Sequence, residues 1–113
     1  MVDTSGMINK VKVKILFDFG AADSCIWLVA LEKCGLAAYE HDDFKQVEMA
    51  SGIKQAVGTS VDQCQVNLGV SITKLKAYVT ALGTYDVIMG MDWLESHWAL
   101  VDCFKNKVIC LDD

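Results

Sequence analysis

The sequence predicts an almost all-β domain with one short helix early and another near the C-terminus. Three observations carry this. Apolar and polar residues alternate with a period of two over Met7 to Phe17, Phe44 to Met49 and Val61 to Val79. Glycines punctuate that alternation at Gly52, Gly58, Gly69, Gly83 and Gly90, where turns are expected. The 113 residues contain no proline, which fits a chain of strands and short turns.

Residues 1 to 6 are polar and read as a flexible N-terminal arm. From Met7 to Phe17, the apolar Ile8, Val11, Val13, Ile15 and Phe17 interleave with Asn9, Lys10, Lys12 and Lys14, as in a strand with one buried face. Between Cys25 and Cys34 the period lengthens, and Ile26, Val29 and Ala30 fit a short helix capped by Ser24 and stopped by Gly35. Phe44 to Met49 and Lys54 to Gly58 form a hairpin with the light tip Ala50-Ser51-Gly52-Ile53. Val61 to Val70 and Ile72 to Val79 pair through Gly69. Tyr85-Asp86-Val87-Ile88-Met89-Gly90 is an apolar burst ending on glycine, and Met91 to Trp98 follow as a helix with Met91, Leu94 and Trp98 on one packed face. Leu100 to Cys103 and Val108 to Leu111 flank Lys105-Asn106-Lys107 as a closing hairpin. The glycine-terminated runs Ile15 to Gly20 and Val87 to Gly90 occupy similar places in the two halves and are expected to be partners in the core.

With 53% apolar and 22% charged residues, the chain buries a core as one domain over residues 1–113. The net charge is −5 and the ten basic residues are scattered singly, so no nucleic-acid footprint is expected. The apolar runs are too short to cross a bilayer and no basic segment leads into an apolar one at the N-terminus. The expectation is an intracellular, cytoplasmic protein without a membrane partner. Five cysteines without a Cys-x-x-Cys, joined by only two histidines, give neither a zinc site nor a disulfide framework, and read as buried reduced thiols. No metal or organic cofactor is implied.

Asp18 stands out, because it places a carboxylate at the end of the apolar run Val13 to Phe17 with Gly20 and the small Ala21 and Ala22 just after it. An ionised carboxylate there costs several kcal/mol, on the order expected for burial without partners, unless backbone donors satisfy it or chemistry uses it. Taken alone it fits a strand-end cap bonding turn amides; a functional role needs a second group. Asp18-Phe19-Gly20 also spells the magnesium-binding tripeptide of protein kinases, but the 17 residues before it cannot hold a glycine-rich loop and an ATP-binding lysine. No Gly-x-Ser-x-Gly, His-Glu-x-x-His or phosphate loop is present.

Leu16-Phe17-Asp18-Phe19-Gly20-Ala21-Ala22-Asp23-Ser24-Cys25-Ile26 resembles the active-site segment of retropepsin-like aspartic proteases, specifically those of Gypsy-type long-terminal-repeat retrotransposons. Tyr85-Asp86-Val87-Ile88-Met89-Gly90-Met91-Asp92-Trp93-Leu94, with His97 and then Val101-Asp102-Cys103, is similar to the tract that carries the C-terminal helix of that subgroup. Between them, Val47-Glu48-Met49-Ala50-Ser51-Gly52 resembles the protease flap, with Gly58 where the family often has a further glycine.

The resemblance implies a retropepsin-like, closed β-barrel-type fold and an aspartic endopeptidase acting on extended polypeptide or polyprotein substrates. In that family two carboxylates share a proton; one activates a water and the other protonates the scissile carbonyl. This chain has one candidate acid and is too short for two lobes, so the resemblance implies a homodimer with Asp18 of each subunit at the twofold axis. It further implies that Gly20, Ala22 and Asp23 line the substrate backbone, Ile88 a side-chain pocket, and Ala50, Ser51 and Gly52 the flap. One departure stands beside these. Phe19 replaces the Ser or Thr whose hydroxyl bonds across the dimer axis in the family, which leaves open a catalytically impaired dimer that binds peptides as a scaffold.

Overall fold

Two apolar runs far apart in sequence meet at the centre of the sheet. The computed structural model describes residues 2–18, 20–48, 54–69, 71–81, 84–96, 99–102 and 107–110. In chain order these form β1 (Val2–Ile8), β2 (Val11–Phe17), β3 (Cys25–Trp27), α1 (Leu28–Lys33), β4 (Tyr39–Glu48), β5 (Lys54–Asn67) and β6 (Ile72–Thr80), then β7 (Val87–Met89), α2 (Met91–Ser96), β8 (Ala99–Asp102) and β9 (Lys107–Cys110). Seven strands form one sheet in the order β1-β2-β7-β3-β6-β5-β4, and a β1–β5 pairing at Met7 and Asn67 closes it into a barrel. Closure brings backbones close: a Cβ on Gly6 would stand 2.7 Å from Ile15 Cδ1 and 2.9 Å from the Asn67 carbonyl.

The expected partnership of the two glycine-terminated runs is what the chain builds. Strands β2 and β7 lie parallel, with Ile15 opposite Val87, Leu16 opposite Ile88 and Phe17 opposite Met89. Ile15, Leu16, Phe17, Val87 and Met89 are all buried, the near-continuous apolar pattern of strands covered on both faces. Trp93 of α2 caps this core, its ring centroid 5.5 Å from that of Phe17 and its indole N–H donating to Thr73 Oγ1 at 2.9 Å. Cys25, Cys34 and Cys64 are buried free thiols, and burial pushes Cys25 and Cys64 up to about 11.

Three expectations need correction. The N-terminal strand begins at Val2, not Met7, so residues 2–6 are not an arm: they pair in register with Val13 to Phe17. Met7 to Phe17 is accordingly not one strand but the end of β1, a turn at Asn9 and Lys10, both left-handed at φ 48° and 66°, and then β2. Ser24 is not a helix cap. Cys25 to Trp27 form a strand wedged between β6 and β7, and α1 starts only at Leu28 with no side-chain cap. The helix does stop at Gly35, whose φ of 65° lets its N–H reach the Glu32 carbonyl while Leu36 N–H reaches Leu31, the paired bonds of a left-handed helix stop.

The β4–β5 hairpin forms as expected, with Glu48 opposite Lys54; its tip, including Ala50, Ser51 and Gly52, lies outside the described residues. The β5–β6 hairpin and the closing β8–β9 hairpin also form, the latter as a separate two-stranded sheet. Trp98 lies outside the described residues; Met91 is half-buried and Leu94 buried in α2.

Candidate active site

Asp18 follows directly on β2, and its own N–H continues the ladder by donating to the Met89 carbonyl at 2.9 Å. The side chain is buried at 2% exposure. Oδ1 accepts the Gly20 N–H at 2.8 Å, whereas Oδ2 is buried with no hydrogen-bond partner among the described residues. Half of the carboxylate is therefore satisfied as a strand-end cap would be, and half is not. An orphaned buried oxygen costs about 1–3 kcal/mol, more when charged, so a further donor is called for at Oδ2.

The loop from Asp18 to Ser24 is tied to the β7–α2 junction at its far end. Met91 N–H donates to the Ala21 carbonyl at 2.8 Å and Asp92 N–H to the Ala22 carbonyl at 3.1 Å. Ser24 donates twice to Asp92, through N–H to Oδ2 at 3.0 Å and through its hydroxyl to Oδ1 at 2.6 Å. Gly90 N–H in turn donates to the Ser24 hydroxyl at 3.0 Å. This contact requires glycine, since a Cβ at position 90 would lie 2.6 Å from the Ala21 carbonyl oxygen and 2.8 Å from that of Asp23.

Of the other expected site residues, Gly20 and Ala22 are exposed beside Asp18, and Ile88 is half-buried next to Leu16 in register. Asp23 is half-buried and pairs with Lys45 Nζ of β4 at 3.0 Å, which links the loop to the β4–β5 hairpin at the Lys45–Val57 pair. The hydrogen bond to Asp23 is the main reason that the Lys45 ammonium is raised above its usual range, and Lys45 also sits 5.0 Å over the Tyr78 ring. A cavity of about 350 Å³ opens beside this pair under the β4 irregularity, lined by His41, Asp42, Phe44, Lys45 and Tyr78 among others, and Asp18 does not line it. Phe19 lies outside the described residues. Sequence reasoning missed Lys45, and it missed the clasp of Ser24 with Asp92. The signal for the clasp was two polar residues set immediately beside apolar, glycine-marked runs.

A buried carboxylate at the end of one of two parallel central strands, in a closed barrel with a hairpin at its edge, is the arrangement of a retropepsin-like aspartic protease domain. The chain belongs to the gag-polyprotein putative aspartyl protease family, whose model matches residues 4–96. It is 29% identical to the DDI1 homolog of Leishmania major over 94% of the chain, and 28% identical to the DNA damage-inducible protein 1 of Chaetomium globosum over 90%. The chain spans about a quarter of the length of those relatives, 27% and 23% respectively. Its fold matches the crystal structure of the retroviral protease-like domain of Ddi1 from Leishmania major with a TM-score of 0.73 and 26% identity, over 99% of this chain and 87% of that one. A Legionella pneumophila protein of unknown function shares the fold at a TM-score of 0.52 and 12% identity, over 84% of each chain.

Proposed function

We propose that this chain is one half of a homodimeric aspartic endopeptidase that cuts extended polypeptides. The carrying observation is the divided state of Asp18: Oδ1 is held by Gly20 N–H, and the buried Oδ2 has no partner among the described residues. A second Asp18 across a twofold axis supplies the group that Oδ2 calls for, because two adjacent carboxylates share one proton. The ionised member takes a proton from water as it attacks the scissile carbonyl; the protonated member donates to the carbonyl oxygen. The β4–β5 hairpin covers the bound peptide, which lies extended between it and the loop at Gly20, Ala22 and Asp23. Ile88 forms part of a side-chain pocket, and Ala50, Ser51 and Gly52 the flap tip.

The tract Met91 to Leu94 supports a retrotransposon polyprotein as the parent chain, and the free buried thiols Cys25, Cys34 and Cys64 support an intracellular setting. A second reading rests on Phe19: a dimer that binds peptides without cutting them. The deciding experiment is cleavage of a peptide library at mildly acidic pH by the wild type and by Asp18→Asn. The expected result is cleavage by the wild type, lost in the variant by a factor of about a thousand or more, the scale on which removal of acid–base chemistry acts. Equal cleavage by both proteins would remove Asp18 from the mechanism; tight binding without cleavage would select the second reading.

A further inference from the structure

We infer that Ser24 and Asp92 are positioning residues that set the geometry of the Asp18 carboxylate, an inference that rests on the endopeptidase reading. Among the described residues, the loop carrying Asp18 holds itself by the bond from Gly20 N–H to Asp18 Oδ1 at 2.8 Å and by a long turn bond from Ala21 N–H to the Asp18 carbonyl at 3.4 Å. The β7–α2 junction holds it at both ends. At one end Asp18 N–H is held by Met89; at the other Ser24, fully buried, is gripped by Gly90 and Asp92. Met89, Gly90 and Asp92 span the one junction between β7 and α2, so both ends are referred to the same frame.

The chemistry of the clasp restricts which residues can form it. Asp92 accepts at least three hydrogen bonds, from Ser24 N–H, the Ser24 hydroxyl and Trp93 N–H, and only an acceptor-only carboxylate can take all three. The Ser24 hydroxyl must both accept from Gly90 N–H and donate to Asp92, which a hydroxyl does and an apolar group does not. Removal of that hydroxyl takes the acceptor from the buried Gly90 N–H and one of the donors from Asp92 Oδ1, and loosens the hold on the loop. Reacting groups displaced by roughly 1 Å lose on the order of a hundredfold in rate. The loss falls mainly on kcat through the carboxylate; KM moves less, since the β4–β5 hairpin is untouched and only Gly20, Ala22 and Asp23 ride on the displaced loop.

The test uses the full chain and the substitutions Ser24→Ala, Ser24→Thr and Asp92→Asn. Expected for Ser24→Ala and Asp92→Asn is a fall in kcat of about thirtyfold or more with a clearly smaller rise in KM, on the scale of a loop displacement. Ser24→Thr, which keeps the hydroxyl, is expected to retain most of the rate. Unchanged kcat in the alanine variant, no rescue by threonine, or a loss seen in KM alone would overturn the assignment. If the wild type itself cuts nothing, the endopeptidase reading fails, and the amide resonance of Gly20, whose N–H touches Asp18 Oδ1, decides separately. A shift of that resonance in Ser24→Ala and its return in Ser24→Thr sustain the clasp; an unmoved resonance refutes it. If Ser24→Ala and Asp92→Asn both fail to fold, the clasp is a stability element and the inference falls.

Discussion

At the scale of single residues, two positions beside Asp18 separate stability from catalysis. Gly90 has no room for a side chain: the atoms that a Cβ would strike at 2.6 and 2.8 Å are backbone carbonyls already engaged with α2 or packed against it. Gly90→Ala must therefore push the Asp18 loop off the junction, and thermal unfolding should show a loss of about 3 kcal/mol, the upper range for overpacking a filled interior. Phe19 poses the opposite case. On the proposed mechanism a phenylalanine lacks the hydroxyl that bonds across the dimer axis in the family, and the expected effect falls on carboxylate alignment more than on stability. Phe19→Ser or Phe19→Thr should raise peptidase activity at least about tenfold, equivalent to roughly 1.4 kcal/mol on the barrier. A wild type that already cleaves as fast as both variants would show that Phe19 does not impair the pair.

At the scale of elements, the first hairpin shows what the sequence made legible and what it hid. Residues 7 to 17 read as one strand because Asn9 and Lys10 are polar, like the outward positions of a strand. The mark of the turn was the three-residue step from Ile8 to Val11, where strict alternation lost its parity. Neither Asn9 nor Lys10 is the glycine that announces such a turn, and Lys10 holds a φ of 66° against its preference. Lys10→Gly should relieve that strain and raise stability by about 0.5 kcal/mol net of the added freedom of the unfolded chain, readable as a higher urea midpoint at constant slope. Strand β3 was hidden for a different reason. Three residues are too few to display a period, and their identity is set by the neighbours they pair with, Tyr78 to Thr80 on one side and Val87 and Ile88 on the other. The central segments were legible because Ile15 to Phe17 of β2 and Val87 to Met89 of β7 are apolar on both faces, a pattern that survives without knowledge of partners. The clasp of Ser24 and Asp92 was not, since 68 residues separate them.

At the scale of the whole molecule, the proposed mechanism makes one chain half of a reaction centre, and the same chain carries a closing hairpin that is not part of its barrel. Strands β8 and β9 form their own two-stranded sheet, lying near β1. A two-stranded ribbon alone is marginal in water and gains from further pairing, which a second copy can supply. Met7, Leu28 and Val29 add exposed apolar surface to the same chain. Sedimentation at high micromolar concentration should accordingly show a dimer, but assembly by itself does not establish that both Asp18 carboxylates serve one site. Mixing does. If each active site needs two intact subunits, wild-type protein equilibrated with about a ninefold excess of Asp18→Asn should retain about one tenth of its activity, since random pairing leaves that share of wild-type subunits with a wild-type partner. A self-sufficient subunit, or a dimer with two independent sites, would keep its full activity in the same mixture, and that result would end the shared-carboxylate mechanism while leaving the barrel and its family membership intact.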